Sequence, residues 1–207
     1  MYGVPSGIVW DPGGGNPSDT VEDGFLIAAA DIALARPTRP RLGATAGVVE
    51  RICIAPTAGD PVQELEAVTA IPGKGLEGDR HTVGRGTFPS GVAGSALTLI
   101  QAEVCEAFDP PLSPGEHRRN LVTRGVDLNA LVGQEFAIGG VRCRGMRLCE
   151  PCTVIDGYAT RTLLRPLVHR GGLRADILTG GEIERGDRLV SSGDDVAHLP
   201  REAPDRA

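Results

Sequence analysis

Apolar and polar residues alternate in short runs through most of the chain after Ala44. In Val141–Leu148, apolar side chains are interleaved with arginines, which is the period-two pattern of a strand with one buried face. Glycine-marked turns separate the runs, and their spacing predicts a mainly β fold, either an antiparallel sheet, a sandwich or a barrel, with an α+β fold as the alternative. The predicted strands are Gly47–Ile54, Glu66–Ile71, Ala96–Ile100, Asn120–Val122, Glu135–Ile138, Val141–Leu148, Ala175–Leu178 and Asp187–Val190.

Helical signals are fewer and shorter than the strand signals. Gln101–Phe108 has apolar residues on one face and stops at two prolines. Thr160–His169 forms a second predicted helix, which Pro166 bends or shortens. A third is predicted over Val21–Arg36, after a glycine-rich loop. We therefore expect a β domain with two or three peripheral helices.

Composition and charge narrow the class of protein. The chain has 207 residues, of which 41% are hydrophobic and 23% charged, as in an ordinary globular domain. Its net charge of −6 disfavours nucleic-acid binding, and no apolar run approaches the roughly 18 residues of a membrane span. Five cysteines are an odd number and sparse for a chain of this size, which makes a disulfide scaffold unlikely, so we expect a reduced cytoplasmic protein.

The basic residues consist of twenty arginines and a single lysine, Lys74. A pyridoxal phosphate Schiff base requires a lysine, and Lys74 lies within the glycine-rich run Gly73–Gly78. We therefore expect no pyridoxal phosphate in this chain. Gly73–Gly78 also fits the letters of a dinucleotide fingerprint, but two more glycines follow it and no helical pattern does, as that fingerprint would require.

Two polar clusters are candidates for anion binding. The glycine-rich run ends in a loop that presents Asp79, Arg80 and His81, although an Asp–Arg ion pair that pins the turn is an alternative. His117–Asn120 contains two adjacent arginines and an asparagine just before a predicted strand. Guanidinium groups suit phosphate or carboxylate, whereas adjacent arginines can also simply be solvated.

Cysteines provide the third candidate site, because Cys149 and Cys152 form a C-x-x-C pair. A zinc site would need further ligands, and a redox dithiol would need a helix after the pair, whereas Thr153–Asp156 is β-like. A single reactive or metal-ligating thiolate and inert buried thiols are the other interpretations. Three arginines just upstream would lower a thiol pKa if they faced it; they are Arg142, Arg144 and Arg147.

The ordered set of motifs resembles the MOSC family, named for the C-terminal domain of molybdenum cofactor sulfurases. The resemblance covers roughly residues 44–191, which leaves 1–43 as an N-terminal extension and 192–207 as a tail. The motifs that carry it are Gly75–Arg80, Leu99–Glu103, Arg118–Gly125, Leu131–Gly133, Cys149–Cys152 and Gly180–Asp187.

This resemblance implies a β-barrel with a few short peripheral helices and a site for the molybdenum cofactor. The family's characteristic cysteine maps to Cys152, which makes it the candidate metal ligand and catalytic residue. We expect Asp79 to orient Arg80. The candidate cofactor-binding residues are Asp79, Arg80, His81, Arg119, Asn120, Arg147 and Arg174.

Three functions follow from the resemblance. The first is a molybdenum-cofactor-dependent oxidoreductase that reduces small N-hydroxylated compounds with electrons from a separate donor protein. The second is a carrier that holds a persulfide or a maturing cofactor on Cys152, supplied by a separate sulfur donor. The third is a non-catalytic module that binds an anion or the cofactor. The resemblance implies a bacterial, stand-alone MOSC protein and leaves a homodimer open.

Overall fold

Seven strands close into a barrel, and the chain segments around one end of it form the site described below. The structure is a computed structural model that describes residues 46–86 and 91–191. The strands are β1 (Ala46–Ile54), β2 (Gln63–Leu65), β3 (Ala67–Ile71), β4 (Gly75–Leu76), β5 (Leu97–Gln101), β6 (Leu121–Arg124), β7 (Glu135–Ile138), β8 (Val141–Leu148), β9 (Leu173–Ile177), β10 (Gly181–Glu184) and β11 (Arg188–Ser191). The helices are α1 (Ala102–Glu106), α2 (Pro114–His117) and α3 (Thr153–Asp156), with a 3₁₀ turn at Leu128–Leu131.

The barrel runs in the order β11, β7, β8, β9, β5, β6, β1, and β1 pairs again with β11 to close it. Only the β5–β6 pairing is parallel among these described strands. β2 pairs with the second half of β1, and β10, β3 and β4 form a separate small sheet. The predicted mainly β barrel with a few short helices is confirmed.

Alternation of side chains explains why these residues form strands. In β8, Val141 and Cys143 are fully buried while Arg142 and Arg144 are exposed. β9 shows a similar alternation, whereas most residues of β5, β6 and β7 are buried. Together the strands fill the interior with Val, Leu, Ile and Ala, and Phe136 is the largest fully buried side chain among the described residues. Burial of apolar area at roughly 25 cal/mol per Å² is the main stabilising contribution to such an interior.

A second apolar cluster holds the peripheral segments against the barrel. It joins Ile100 and Val122 on the strands to Val104 of α1 and Ile155 of α3. Because Ile155 is buried there, α3 has a fixed position beside the end of β8. The cluster therefore fixes the chain that immediately follows the C-x-x-C pair.

Two local predictions were wrong. Thr160–His169 is a run of turns rather than a helix, because Pro166 has no N–H to donate and His169 adopts a left-handed φ of 57°. Thr153–Asp156 is the short helix α3 rather than a β-like run, because packing of Ile155 outweighs the β propensity of its neighbours. The predicted helix over Val21–Arg36, the extension 1–43 and the tail 192–207 lie outside the described residues.

Candidate functional site

A cavity of about 120 Å³ opens at one end of the barrel. It lies where β1 and β8 end and where β5, β6 and β9 begin, because residues next to those strand ends line it. The loop after β4 and the segment around α3 complete its wall. Seven of the eight predicted site residues line this cavity, namely Asp79, Arg80, His81, Arg119, Asn120, Cys152 and Arg174.

Cys152 is the only exposed cysteine of the five in the chain, and all five are free thiols. It is the residue immediately before α3, where the backbone is still extended, and it lines the cavity. Cys149, its partner in the C-x-x-C pair, is fully buried. The two cysteines therefore have different surroundings, and Cys152 is the one that a ligand can reach.

Asp79 organises the cavity wall through hydrogen bonds to the backbone. Its carboxylate accepts from the N–H of Ala55 at 3.0 Å and of His81 at 2.9 Å, and the amide nitrogen of Asn120 lies 3.5 Å away. Asp79 thus fixes the loop that carries Arg80 and His81, and its role in orienting Arg80 itself stays a prediction.

Arg119 is buried below the cavity surface, and three backbone carbonyls accept its hydrogen bonds. Its Nε donates to Gly171 at 2.9 Å, and its two terminal nitrogens donate to His117 at 2.9 Å and to Cys149 at 3.3 Å. Within the described residues it forms no ion pair with a carboxylate. Arg119 thus links α2 to both the C-x-x-C pair and the start of β9.

Asn120 has a similar supporting position. Its side-chain oxygen accepts from the hydroxyl and the N–H of Thr98, at 2.8 and 3.2 Å. Its amide nitrogen donates to the carbonyl of Cys53 at 3.3 Å. These bonds connect β5 and β1 beside the cavity. Most of the hydrogen-bonding groups of the Asn120 side chain are therefore paired within the protein.

Arg118 lines the cavity, although only its neighbours Arg119 and Asn120 were named from the sequence as cofactor-binding candidates. It follows α2 in the left-handed conformation, with φ 56° and ψ 28°, which is uncommon for a residue other than glycine. One terminal nitrogen donates to the carbonyl of Asp60 at 2.7 Å, and the guanidinium lies 4.5 Å from the ring centroid of Tyr158. The sequence shows the adjacent pair Arg118 and Arg119, but it does not show which of the two uses its hydrogen bonds within the protein.

Unpaired donors are concentrated around this cavity. Six buried side-chain polar atoms in the described residues have no hydrogen-bond partner, and four of them belong to Arg80, His81 and Arg118. They are Nε of Arg80, Nε2 of His81, and Nε and Nη2 of Arg118. Buried polar groups are normally hydrogen-bonded to protein, water or a ligand, so these atoms require a partner that the described residues do not supply.

Burial and neighbouring cations also change the ionisation of the site. Burial lowers the pKa of His81, and the nearby Arg174 and Arg80 add to this effect while Asp79 opposes it. Burial likewise lowers the pKa of Arg174, with Cys149 opposing that effect. His81 is therefore neutral at physiological pH, whereas the arginines stay charged.

Glu150 is a second lining residue that sequence reasoning did not single out, although it lies within the C-x-x-C pair. Its carboxylate accepts from the N–H of His169 at 2.9 Å and lies 2.7 Å from the Nδ1 of that ring. Together with Asp79, Glu150 supplies the carboxylates of the cavity wall, against four arginines. The wall therefore carries an excess of positive charge.

Arg147 is the one predicted site residue that does not line the cavity. It is exposed near the end of β8 and is paired in register with Arg174 of β9. Arg142 and Arg144 are exposed on the same strand, and Arg142 forms an ion pair with Glu135 at 2.7 Å. None of these three arginines is among the residues that surround Cys152 in the cavity.

The other interpretations of the C-x-x-C pair find little support. No group of three or more His, Cys, Asp or Glu residues in the described ranges could hold a metal ion, so a structural zinc site lacks ligands there. A thioredoxin-like dithiol precedes a long helix, whereas α3 has four residues. No helix within residues 46–86 or 91–191 is long and apolar enough to cross a membrane.

The described residues form a closed β-barrel that has, at one end, an arginine-lined cavity with one exposed cysteine. Residues 89–190 match the family model of the MOSC domain. This match identifies residues 89–190 as a MOSC domain.

Solved structures give the same fold. The YuaD protein of Bacillus subtilis has a TM-score of 0.57 at 19% identity, over 70% of this chain and 94% of that one. YiiM of Escherichia coli has a TM-score of 0.50 at 16% identity, over 70% and 69%. YiiM of Geobacillus stearothermophilus has a TM-score of 0.50 at 16% identity, over 74% and 76%. A comparison with curated proteins finds no match.

Proposed function

We propose that the protein binds the molybdenum cofactor in the arginine-lined cavity, with Cys152 as a ligand to the metal, and reduces N-hydroxylated compounds. The observation that carries this proposal is the position of Cys152. It is the one exposed thiol of the chain, and it lies on a cavity whose wall holds more guanidinium than carboxylate groups.

The residues fit an anionic cofactor that carries a phosphate group. Arg80 and Arg118 have buried N–H groups without partners, and such groups favour a ligand rich in acceptor oxygens. The two carboxylates of the wall are held elsewhere, Asp79 by backbone N–H groups and Glu150 by His169. Four guanidinium groups against these two carboxylates leave a net positive charge to act on a ligand.

Cys152 suits the role of metal ligand because a thiolate is a soft donor. Its place is fixed from both sides, since Arg119 binds the carbonyl of Cys149 and Ile155 of α3 is buried in the second apolar cluster. The thiol is thus held at the cavity without being covered. The five free cysteines are consistent with a reducing cytoplasm as the location.

In the proposed reaction, an N–OH group takes up two electrons and two protons and gives N–H and water. When bound, the cofactor supplies the two-electron redox chemistry. The electrons come from a separate donor protein. The side chains of the cavity bind and orient the ligands, and His81, which is neutral, lines the same cavity.

The test is isolation of the protein under anaerobic conditions, reconstitution with the cofactor, and measurement of molybdenum content and of the reduction of an N-hydroxylated test compound. We expect Cys152→Ala to lose both the metal and the activity. The matched control Cys105→Ala changes a buried thiol away from the cavity and should retain both. Wild-type protein that binds no molybdenum, or Cys152→Ala protein that keeps metal and activity, would contradict the proposal.

A sulfur or cofactor carrier is the second candidate, and the exposure of Cys152 beside exposed Val154 favours it, because a partner protein can reach both. Incubation with a sulfur donor followed by peptide mass spectrometry distinguishes the two. A carrier should gain the mass of one sulfur atom on the Cys152 peptide. If neither metal nor sulfur is bound, the domain is a non-catalytic anion-binding module.

A further inference from the structure

We propose that His169 is a positioning residue for Cys152, because it holds Glu150 and thereby keeps the Cys149–Cys152 segment in the place where Cys152 lines the cavity. His169 does not itself line that cavity, so it acts through Glu150. Nothing in the family match or in the compared structures assigns a role to either residue. The inference rests on the proposed function only in taking Cys152 as the reactive group.

Backbone contacts fix the two ends of this segment. The N–H of Cys149 donates to the residue before β9 at 2.7 Å, and Arg119 donates to the carbonyl of Cys149 at 3.3 Å. At the other end, the carbonyl of Cys152 accepts from the N–H of Ile155 at 2.9 Å. Pro151, between the cysteines, has no N–H to donate. The middle of the segment therefore has fewer backbone hydrogen bonds available to hold it.

The side chain of Glu150 supplies the hold in the middle, since both of its oxygens contact His169. One oxygen accepts from the backbone N–H of His169 at 2.9 Å, and the other lies 2.7 Å from Nδ1 of the ring. The carbonyl of His169 in turn accepts from the side-chain nitrogen of Asn129, on the 3₁₀ turn, at 3.0 Å. Two contacts on one carboxylate fix both its position and its rotation, so Glu150 is tied to the 3₁₀ turn through His169.

Burial does not explain the conformation of His169. Its backbone is left-handed at φ 57°, which is uncommon for a residue other than glycine, and its side chain is 76% exposed. Strained residues persist where their surroundings require them. The chain is fixed on both sides, because Leu167 is fully buried in the second apolar cluster and the carbonyl of Gly171 accepts from Arg119. The left-handed turn between these points places the N–H and Nδ1 of His169 against one carboxylate.

Release of Glu150 would change the charge around Cys152 in two ways. The segment would be able to move away from Arg174, whose pKa is lowered by burial and raised by the nearby Cys149 and Cys152. The freed carboxylate would also be able to turn toward the guanidinium groups of the wall and offset part of their charge. Both changes weaken the positive field at the Cys152 thiol, and that field can be measured.

The experiment compares two alkylating reagents on the reduced, metal-free full chain. With both iodoacetate and iodoacetamide, the thiolate sulfur forms a bond to carbon and iodide leaves, but only iodoacetate carries a negative charge. The ratio of the two rates therefore reports the field at the thiol and does not depend on the fraction of thiolate. Cys152 is the one exposed cysteine of the five, and peptide mass spectrometry follows it separately. We expect a ratio about fivefold or more above that of an unstructured peptide of the same sequence.

His169→Ala removes the ring nitrogen, and we expect the ratio at Cys152 to fall about threefold or more toward the value of the peptide. His169→Gly removes the ring without backbone strain and should give the same fall. His169→Asn is the conservative rescue, because its side-chain nitrogen takes the place of Nδ1 and asparagine tolerates a left-handed backbone. It should keep the wild-type ratio. The matched control Arg142→Ala breaks an exposed ion pair of the same 2.7 Å length, with Glu135, and should leave the ratio unchanged.

A purely structural role of His169 would lower the melting temperature without changing the ratio, and that result would overturn the proposal. A wild-type ratio equal to that of the peptide would overturn it as well, as would the same loss in His169→Asn as in His169→Gly. The measurement needs no molybdenum. The expected ratios in a protein that binds no molybdenum would support the positioning role and contradict only the proposed function.

Discussion

The barrel interior and the cavity at its end are built on opposite principles. Inside the barrel, apolar side chains from all seven strands are buried against one another, and closure by β1 and β11 pairs the strand edges. Around the cavity, buried donors remain without partners and guanidinium groups outnumber carboxylates. The barrel interior is stabilised by contacts within the protein, whereas buried polar atoms at the cavity lack partners among the described residues.

The boundary between the two regions shows how they are joined. Arg119 and Asn120 use hydrogen bonds on backbone carbonyls, whereas Arg118, one residue earlier, lines the cavity and has two buried nitrogens without partners. Adjacent residues of one motif, all of which line the cavity, therefore differ in whether their hydrogen bonds are used within the protein. The difference leads to four predictions, in order of decreasing expected effect.

The largest effect is expected for Gly172→Ala, at the start of β9. Gly172 has a φ of +101°, and an added Cβ would overlap the carbonyl oxygen of Leu99. The carbonyl of Gly172 also accepts from Cys149 at 2.7 Å. We expect a loss of about 4 kcal/mol or more in the free energy of unfolding, or no folded protein, measured by chemical denaturation.

Gly186→Ala is the control for this change. Its φ of +91° is similar, but no atom lies within 4 Å of the added Cβ, so only the backbone strain of about 1 kcal/mol applies. Equal losses for the two variants would show that the close approach between β9 and β5 does not determine stability.

Arg119→Met should have the next largest effect. The variant leaves the carbonyls of His117, Cys149 and Gly171 without their shared donor, although it also removes a buried charge. We expect a loss of about 3 kcal/mol in stability. Arg118→Gln provides the comparison, because Arg118 has nitrogens without partners whereas Arg119 supports the cavity. We expect Arg118→Gln to lower the free energy of unfolding by about 1 kcal/mol or less and to weaken phosphate binding more than Arg119→Met does.

The strands could be predicted from the sequence more fully than the cavity. β7 and β8 have the predicted bounds, Glu135–Ile138 and Val141–Leu148, because a short apolar run in β7 and an alternating pattern in β8, each bounded by turn residues, are local properties of the chain. The position of Cys152 followed from its motif. The roles of Arg118 and Arg119 could not be separated, because they depend on a left-handed φ and on backbone carbonyls of Gly171 and Cys149, which are distant in sequence.

His117 predicts a pH dependence of stability. It is buried beside Arg119, its Nδ1 accepts from the N–H of Arg119 at 3.0 Å, and burial lowers its pKa to about 3. In the unfolded chain, His117 binds a proton with a pKa near 6.5, whereas in the folded chain it stays neutral down to about pH 3. The contribution of His117 to the free energy of unfolding is therefore fully present above pH 6.5 and is lost as the pH falls toward 3. Between pH 6.5 and 5, we expect a loss of about 2 kcal/mol from this group.

His117→Asn should flatten this slope, since asparagine can accept the same hydrogen bond and does not titrate. Part of the slope should remain, because burial also lowers the pKa of His81 and its contribution has the same sign. An unchanged slope between pH 6.5 and 5 in the variant would show that His117 is not the group responsible.

The smallest effect is expected at Tyr158, whose ring lies 4.5 Å from the guanidinium carbon of Arg118. Tyr158→Leu removes the ring, and a cation–π contact at a partly exposed site contributes about 0.5–1 kcal/mol. We expect the affinity for inorganic phosphate, measured by calorimetric titration, to fall about two- to fivefold, because Arg118 loses the aromatic ring that orients its guanidinium group. Tyr158→Phe keeps the ring and should bind phosphate as the wild type does. Equal weakening by both substitutions would assign the effect to the hydroxyl group, and it would remove the argument that the aromatic face positions Arg118.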